Sequence, residues 1–499
     1  MAIRNHLPRS SIQAWYLDDG VITGTREELL AALKLLEERS AVLGLHLRKE
    51  KCEIYGQGHE SSLRGIPVSG KADFEILGAP VGSKIFHHET LMKRVSEIGS
   101  ILKALPTLED AQLELTLLRA CFSLPKFAFV LRTSPPSKSH LASLAFDEVI
   151  RAALSEILCS PLSDEAWIQA TLPVHIGGLG LRSAASHAPA AYFSSVFSTK
   201  DLTAQLIEEY VPPSLAEAAA TLPISPLRED GSPRTQKEVS WAIDKSLHDS
   251  LMARAAHDER SKARLQSLTL PHNGDFLNVV PSKSLGLAIP SPEFRMVTSY
   301  RLGIPLYPAE APCPVCGKQS DEYGDHAVAC GGEYERISRH DRLRDCIFGA
   351  ATTAALCPKK EVMVTSTQSR PADILLPTWT RGQPAALDAT VISSLQKATR
   401  KGASENSGHA LAIAEARKRA AHAANCRDQG VQFIPIAVEV LGGWADEGRA
   451  VLRTIARYAA ERSQDPPPNA TRHLMGKLSI VLQKGNGTML VRRGPTLQF

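Results

Sequence analysis

The sequence lacks the features of an exported or membrane-inserted protein. Its first residues, MAIRNHLPRSSIQ, contain no apolar core of signal-peptide length. No run of about 18 apolar residues, the length that a membrane span needs, occurs anywhere. We therefore expect no membrane partner and a nuclear or cytoplasmic location.

A large excess of charge is also missing. The 499 residues carry a formal net charge of only +4, so global charge gives no argument for nucleic-acid binding. Evidence for nucleic-acid binding must therefore come from local clusters of basic residues. A hydrophobic content of 43% and a charged content of 22% are typical of soluble globular proteins. A chain of this length is expected to form about three domains.

A regular disulfide framework is absent too, because the nine cysteines are unevenly spaced. Cys313, Cys316, His326 and Cys330 follow the spacing C-x2-C-x9-H-x3-C. Thiolate and imidazole are the ligands that zinc prefers, and four of them leave no open position, so the pattern predicts a structural zinc site in a reducing compartment. The alternative is a set of unrelated free cysteines.

The segment after these cysteines, EYERISRHDRLRDCIFGAA, predicts a basic helix. Arg339, His340 and Arg342 could place cations on DNA phosphates. The same helix could equally be a solvated face that packs through its apolar residues.

The N-terminal region has a second acidic arrangement. IQAWYLDDGVITG at 12–24 predicts a hairpin with Asp18 and Asp19 at its tip. Their carboxylates suit magnesium, although a plain surface turn is the alternative. The next segment, TREELLAALKLLEERSAVLG, predicts an amphipathic helix.

Four features of this region resemble the palm of reverse transcriptases from non-LTR retrotransposons. They are YLDD at 16–19, GLHL at 44–47, KCE at 51–53 and the predicted hairpin LGAPVG at 77–82. The resemblance implies a partial palm over 1–87 and a helical thumb over 88–200. A generic helical bundle is the alternative for the second segment.

Polymerases of this kind need a third carboxylate on an earlier palm strand, together with the fingers. Only 15 residues precede Tyr16, so we expect neither to be present. Phosphoryl transfer needs metals held by all these carboxylates together. We therefore predict that the purified chain gives no primer extension, and extension without an added partner would contradict this prediction.

Residues 370–394 predict a hairpin with an acidic residue on each strand. RPADILLP and AALDATVISS are apolar strand-like segments, joined by TWTRGQP. Antiparallel pairing would bring Asp373 and Asp388 together, and the helical segment that follows carries Glu415 and Lys418. Such a set suits a divalent cation that activates water against a phosphodiester. Two surface aspartates in an ordinary hairpin are the alternative.

Strand, hairpin, helix and strand over 358–445, after a Cys3His module, resemble the PD-(D/E)XK endonucleases of non-LTR retrotransposons. The resemblance implies that Asp373 and Asp388 bind Mg2+, that Lys418 assists the attack of water, and that Glu415 holds the lysine or the metal. It also implies a DNA target and an element RNA as partners.

The match to this family has three departures. Ala372 is inserted between the proline and the aspartate, Thr390 stands where the family has lysine, and the tyrosine often found shortly after the lysine is absent. These departures keep a second interpretation open, a catalytically inactive nucleic-acid-binding relic. A third is a polymerase whose missing parts are supplied by another chain.

The sequence as a whole predicts a multidomain α+β and α/β protein. Its segments would be the palm remnant at 1–87, the thumb-like region at 88–200, a linker and helical connection at 201–300, the zinc module with its basic helix at 301–350, a restriction-endonuclease-like α/β core at 351–462, and a linker with a C-terminal hairpin around Gly485-Asn486-Gly487 at 463–499.

Overall fold

The computed structural model describes residues 13–17, 19–56, 62–204, 212–308, 312–332, 334–363, 372–464 and 466–494. These residues form many helices and a few small sheets, so the protein is of mixed α/β class. Asp18 lies outside the described residues, as does Pro371 of the predicted nuclease motif. Within the described ranges, no helix combines the length and the apolarity needed to cross a membrane.

The strands are β1 (Gln13–Tyr16), β2 (Asp19–Ile22), β3 (Ile54–Tyr55), β4 (Ser62–Leu63), β5 (Ile66–Ser69), β6 (Phe74–Ile76), β7 (Ala79–Val81), β8 (Lys359–Lys360), β9 (Ile374–Leu376), β10 (Ala385–Ile392) and β11 (Gln432–Glu439). The helices are α1 (Arg26–Val42), α2 (Lys84–Leu102), α3 (Ala111–Leu117), α4 (Leu124–Thr133), α5 (Pro136–Leu158), α6 (Asp164–Thr171), α7 (Ala184–Ser198), α8 (Lys200–Ala204), α9 (Pro213–Ala220), α10 (Gln236–Arg254), α11 (Glu259–Ser267), α12 (Ser291–Leu302), α13 (Asp325–Ala329), α14 (Glu335–Thr353), α15 (Arg400–Glu405), α16 (His409–Asp428), α17 (Asp446–Ser463) and α18 (Pro467–Arg493).

The chain divides into two compact units that interleave along the sequence. The first contains Met1–Glu97, Phe127–Phe146 and Ala184–Ala242, and the second contains Ile98–Lys126, Asp147–Ser183 and Ile243–Phe499. The predicted thumb-like region, 88–200, therefore contributes to both units. The predicted zinc ligands and nuclease residues all belong to the second unit.

The first unit contains the two hairpins expected from the sequence. β1 and β2 pair antiparallel with Tyr16 opposite Asp19, which is exposed. β6 and β7 form the second hairpin, where Leu77 and Gly78 have positive φ values of 48° and 77°, as a tight two-residue turn requires. Between the hairpins, a capping box joins Thr25 to Glu28 and starts α1.

The second unit is built around a four-stranded sheet with the order β11-β10-β9-β8. β9 runs antiparallel to β10, as predicted for the hairpin, and β10 runs parallel to β11. Parallel neighbours need a crossover connection, which α15 and α16 supply. One sheet face packs on α14, α17 and α18, through buried side chains that include Leu387, Ile436, Leu452 and Leu478. Each such leucine contributes roughly 1.5–3 kcal/mol by leaving water.

The predicted C-terminal hairpin is wrong, because the segment forms the helix α18. Its Gly-Asn-Gly triplet serves close packing instead of a turn. A Cβ on Gly487 would lie 2.5 Å from the Cβ of Glu293, and one on Gly485 would lie 2.7 Å from the Cγ of Arg339. Asn486 is buried between them and donates from its side chain to the Val440 carbonyl over 2.8 Å. Tertiary packing thus overrides the local turn signal.

This packing makes a prediction about stability. Gly487→Ala should lower the free energy of unfolding by about 1–3 kcal/mol, because the added methyl group overpacks against Glu293. Gly349→Ala in α14 is the matched control, since a Cβ there meets no atom within 4 Å. That control should raise stability by about 0.5–1 kcal/mol through helix propensity. Urea denaturation measures both changes, and a stabilising Gly487→Ala would contradict the helical packing.

Candidate active site and metal centre

The four predicted zinc ligands lie together. Their ligand atoms are all within 4.8 Å of one another, and His326 Nε2 is 3.2 Å from Cys316 Sγ. The Gly317 amide donates to the Cys313 carbonyl over 2.9 Å, which forms the tight turn that brings the first two cysteines to one point. Three thiolates and one imidazole fit zinc, and the cluster could hold that ion as a structural, four-coordinate site.

Residues around the cluster fix the ligands in place. Asp321 accepts hydrogen bonds from the backbone amides of Asp325 and His326, over 2.9 and 2.6 Å, and so starts the short helix α13. Burial raises the pKa of the Cys330 thiol, but hydrogen bonds from the Gly332 amide and the Arg493 guanidinium outweigh it, so the pKa is lowered. A thiolate, the form that binds metal, is thereby favoured.

We predict that the purified chain carries zinc at this cluster. Cys316→Ser should remove the metal and lower the unfolding temperature, because a structural zinc site contributes directly to folding. The exposed Cys121 offers the control, since Cys121→Ser changes a cysteine outside the cluster. Elemental analysis and thermal unfolding of both variants provide the measurement. Equal zinc contents in the two variants would contradict the assignment.

The predicted catalytic aspartates face each other across the hairpin. Leu387 of β10 pairs with Ile374 of β9, so Asp388 lies opposite Asp373, which directly precedes β9. The side chain of Asp388 is 7% exposed and that of Asp373 is 21% exposed. Burial raises the pKa of Asp388, the ion pair with Lys418 opposes this, and the nearby Asp373 carboxylate adds to the increase.

Lys418 reaches this pair from α16. The helix is rich in alanine, a strong helix former, and crosses between the parallel strands β10 and β11. Lys418 Nζ lies 2.9 Å from Oδ1 and 2.9 Å from Oδ2 of Asp388. The structure therefore brings together three of the predicted residues, Asp373, Asp388 and Lys418.

Glu415 has different neighbours. Burial raises its pKa, Arg419 opposes the increase, and Glu447 and Asp446 add to it. Its Oε1 atom has no hydrogen-bond partner among the described residues. None of these neighbours shows Glu415 holding Lys418 or a metal. That role of Glu415 therefore stays a prediction.

His340 occupies a position that the sequence did not indicate. Its Nε2 atom lies 3.0 Å from Asp373 Oδ2 and 3.1 Å from the Ala389 carbonyl oxygen, and its Nδ1 atom lies 3.3 Å from Asp341 Oδ1. Acceptors face both ring nitrogens, which favours the doubly protonated imidazolium. The hydrogen bond to Asp373 is the main cause that raises the pKa of His340 to about 9. Its imidazolium faces the aspartates, whereas the sequence assigned it to DNA phosphates.

The predicted phosphate contact by Arg339 is wrong. Its side chain is buried and donates to the Val328 carbonyl over 3.1 Å and to Asn486 Oδ1 over 2.7 Å. Burial lowers the pKa of its guanidinium to about 10. Arg342, three positions further along α14, is exposed and stays a candidate for phosphate contact.

The aspartate pair has the donor chemistry of a magnesium site. Asp373 Oδ2 accepts from His340 and, over 2.8 Å, from the Ala389 amide, which leaves Oδ1 for a cation. Asp388 offers a second carboxylate beside it, held by Lys418. Carboxylate oxygens are the ligands that Mg2+ prefers, so these residues fit that ion.

Comparison with known proteins points to a class of mobile genetic elements. No protein-family model matches the chain. A retrotransposon protein is 26% identical over 179 residues, a match that spans 36% of this chain and 15% of the relative. The likeness supports a retrotransposon-related origin. The relative is the 132 kDa protein of the retrotransposable element SLACS from Trypanosoma brucei gambiense.

Proposed function

We propose that this retrotransposon-related chain is a DNA endonuclease that nicks its target in a magnesium-dependent reaction. The observation that carries the proposal is the convergence of Asp373, Asp388 and Lys418 from two paired strands and the following helix. Two carboxylates and a lysine at one point are the groups needed to hold a divalent cation and a phosphodiester. The similarity to a protein of a retrotransposable element supports a retrotransposon-derived function, with which this proposal agrees.

Each residue has a defined task in the proposed reaction. Asp373 and Asp388 would hold Mg2+, which when bound supplies a Lewis acid and lowers the pKa of water. Lys418 keeps its ammonium group beside Asp388, where it can stabilise negative charge that develops on the phosphate. Hydrolysis would give a 5′-phosphate and a 3′-hydroxyl, and in an intact element this hydroxyl would prime reverse transcription.

Asp373→Ala should abolish magnesium-dependent nicking of supercoiled plasmid, because it removes half of the metal site. Zinc content and the fold should persist. Asp428→Asn is the matched control, an exposed aspartate at the end of α16, and should nick like the parent. Nicking that survives both Asp373→Ala and Asp388→Ala would reject the assigned site.

Lys418 gives an independent prediction. Lys418→Met should lower the nicking rate by about 100-fold or more, the usual contribution of a group that assists proton transfer or charge development. Arg417→Met changes the adjacent exposed cation on α16 and should cost far less. Single-turnover nicking at saturating Mg2+ measures both. Equal losses of nicking rate in the two variants would mean that Lys418 contributes only a positive charge, as any nearby cation would.

The inactive nucleic-acid-binding relic remains the alternative function. Thr390 in the place of the family's lysine is the observation that favours it. DNA binding without nicking in either Mg2+ or Mn2+ would support the relic and contradict the endonuclease.

A further inference from the structure

The position of Asp373 is controlled from outside its own hairpin. Its Oδ2 atom accepts from the Ala389 amide at 2.8 Å and from His340 Nε2 at 3.0 Å. The same ring nitrogen lies 3.1 Å from the Ala389 carbonyl oxygen. His340 thus bridges the carboxylate and the neighbouring strand, and it comes from α14, an element separate from the sheet.

The two donors on Oδ2 determine which oxygen of the Asp373 carboxylate can bind a metal. Because Oδ2 is engaged by both donors, the rotamer of Asp373 is fixed and Oδ1 is the oxygen left for a cation shared with Asp388. Ala389 is the next residue after Asp388, so β10 carries the second metal ligand and one of the two donors that orient the first. Such partners of a metal ligand commonly set its orientation and its affinity.

His340 is itself held firmly. Leu343 and Ile347 of α14 are 1% exposed and lie in the hydrophobic core beneath the sheet. Arg339, the preceding residue, points away from the site and donates to Val328 of the zinc module and to Asn486 of α18. The helix therefore has anchors on both sides, and the imidazole, 31% exposed, is presented to Asp373 by a rigid element.

We propose that His340 is a positioning residue of the magnesium site, which orients Asp373 by its Nε2–H without touching metal or substrate. The proposal rests on the proposed function to the extent that Asp373 and Asp388 share a divalent cation. It assigns to α14, the helix after the zinc cluster, a direct part in the geometry of the candidate active site.

The test is the binding of Mn2+ to the zinc-loaded full chain, followed by electron paramagnetic resonance. His340→Ala should weaken the Asp373-dependent Mn2+ binding by about 10-fold, the lower end of the usual effect of losing such a partner. His340→Gln keeps an N–H donor at the position of Nε2 and should recover most of the affinity. His473→Ala, an exposed histidine on α18, is the matched control and should bind Mn2+ like the parent.

Several outcomes would overturn the proposal. Unchanged affinity in His340→Ala would do so, as would equal losses in the Ala and Gln variants, since a purely structural role predicts no rescue by a donor. Tighter binding in His340→Ala would show that repulsion between the imidazolium and the cation outweighs positioning. A parent chain without Asp373-dependent Mn2+ binding would overturn this proposal and the metal site together. A parent that binds Mn2+ but never nicks DNA contradicts only the endonuclease.

Discussion

The register between β9 and β10 is the constraint on which the candidate site depends. Side chains alternate along a strand, so Leu387 enters the core while Asp388 turns toward the face covered by α16. A shift by one residue would bury Asp388 in that core and move Leu387 to the face covered by α16, at a cost that excludes it. The apolar packing of the sheet therefore also fixes the pairing of Asp388 with Asp373 and gives Lys418 its partner.

The helix α14 connects this site with the zinc cluster. Glu335, near its start, pairs with Arg493, which also donates to the ligand Cys330. Further along, Arg339 binds the zinc module and His340 binds Asp373. The predicted zinc module is thus part of the same packed structure as the candidate active site.

Short sequence patterns predicted the hairpin of Asp373 and Asp388 and the cluster of cysteines. Both strand periodicity and ligand spacing can be recognised within a short segment of sequence. The family resemblance supplied Lys418. Contacts between residues far apart in the sequence could not be predicted in this way. Arg339 is buried by Asn486, which lies 147 positions away, and His340 meets Asp373 across 33 positions. The Gly-Asn-Gly triplet misled for the same reason, since only packing on α14 and α12 shows why those glycines sit in a helix.

The central claim is that Asp373 and Asp388 share one divalent cation. Anomalous diffraction from crystals of the zinc-loaded chain soaked in Mn2+ tests it most directly, because data at the two absorption edges separate the metals. We expect a zinc peak among Cys313, Cys316, His326 and Cys330 and a manganese peak between the two aspartates. A fully soaked crystal with the zinc peak present and no manganese at the aspartates would contradict it.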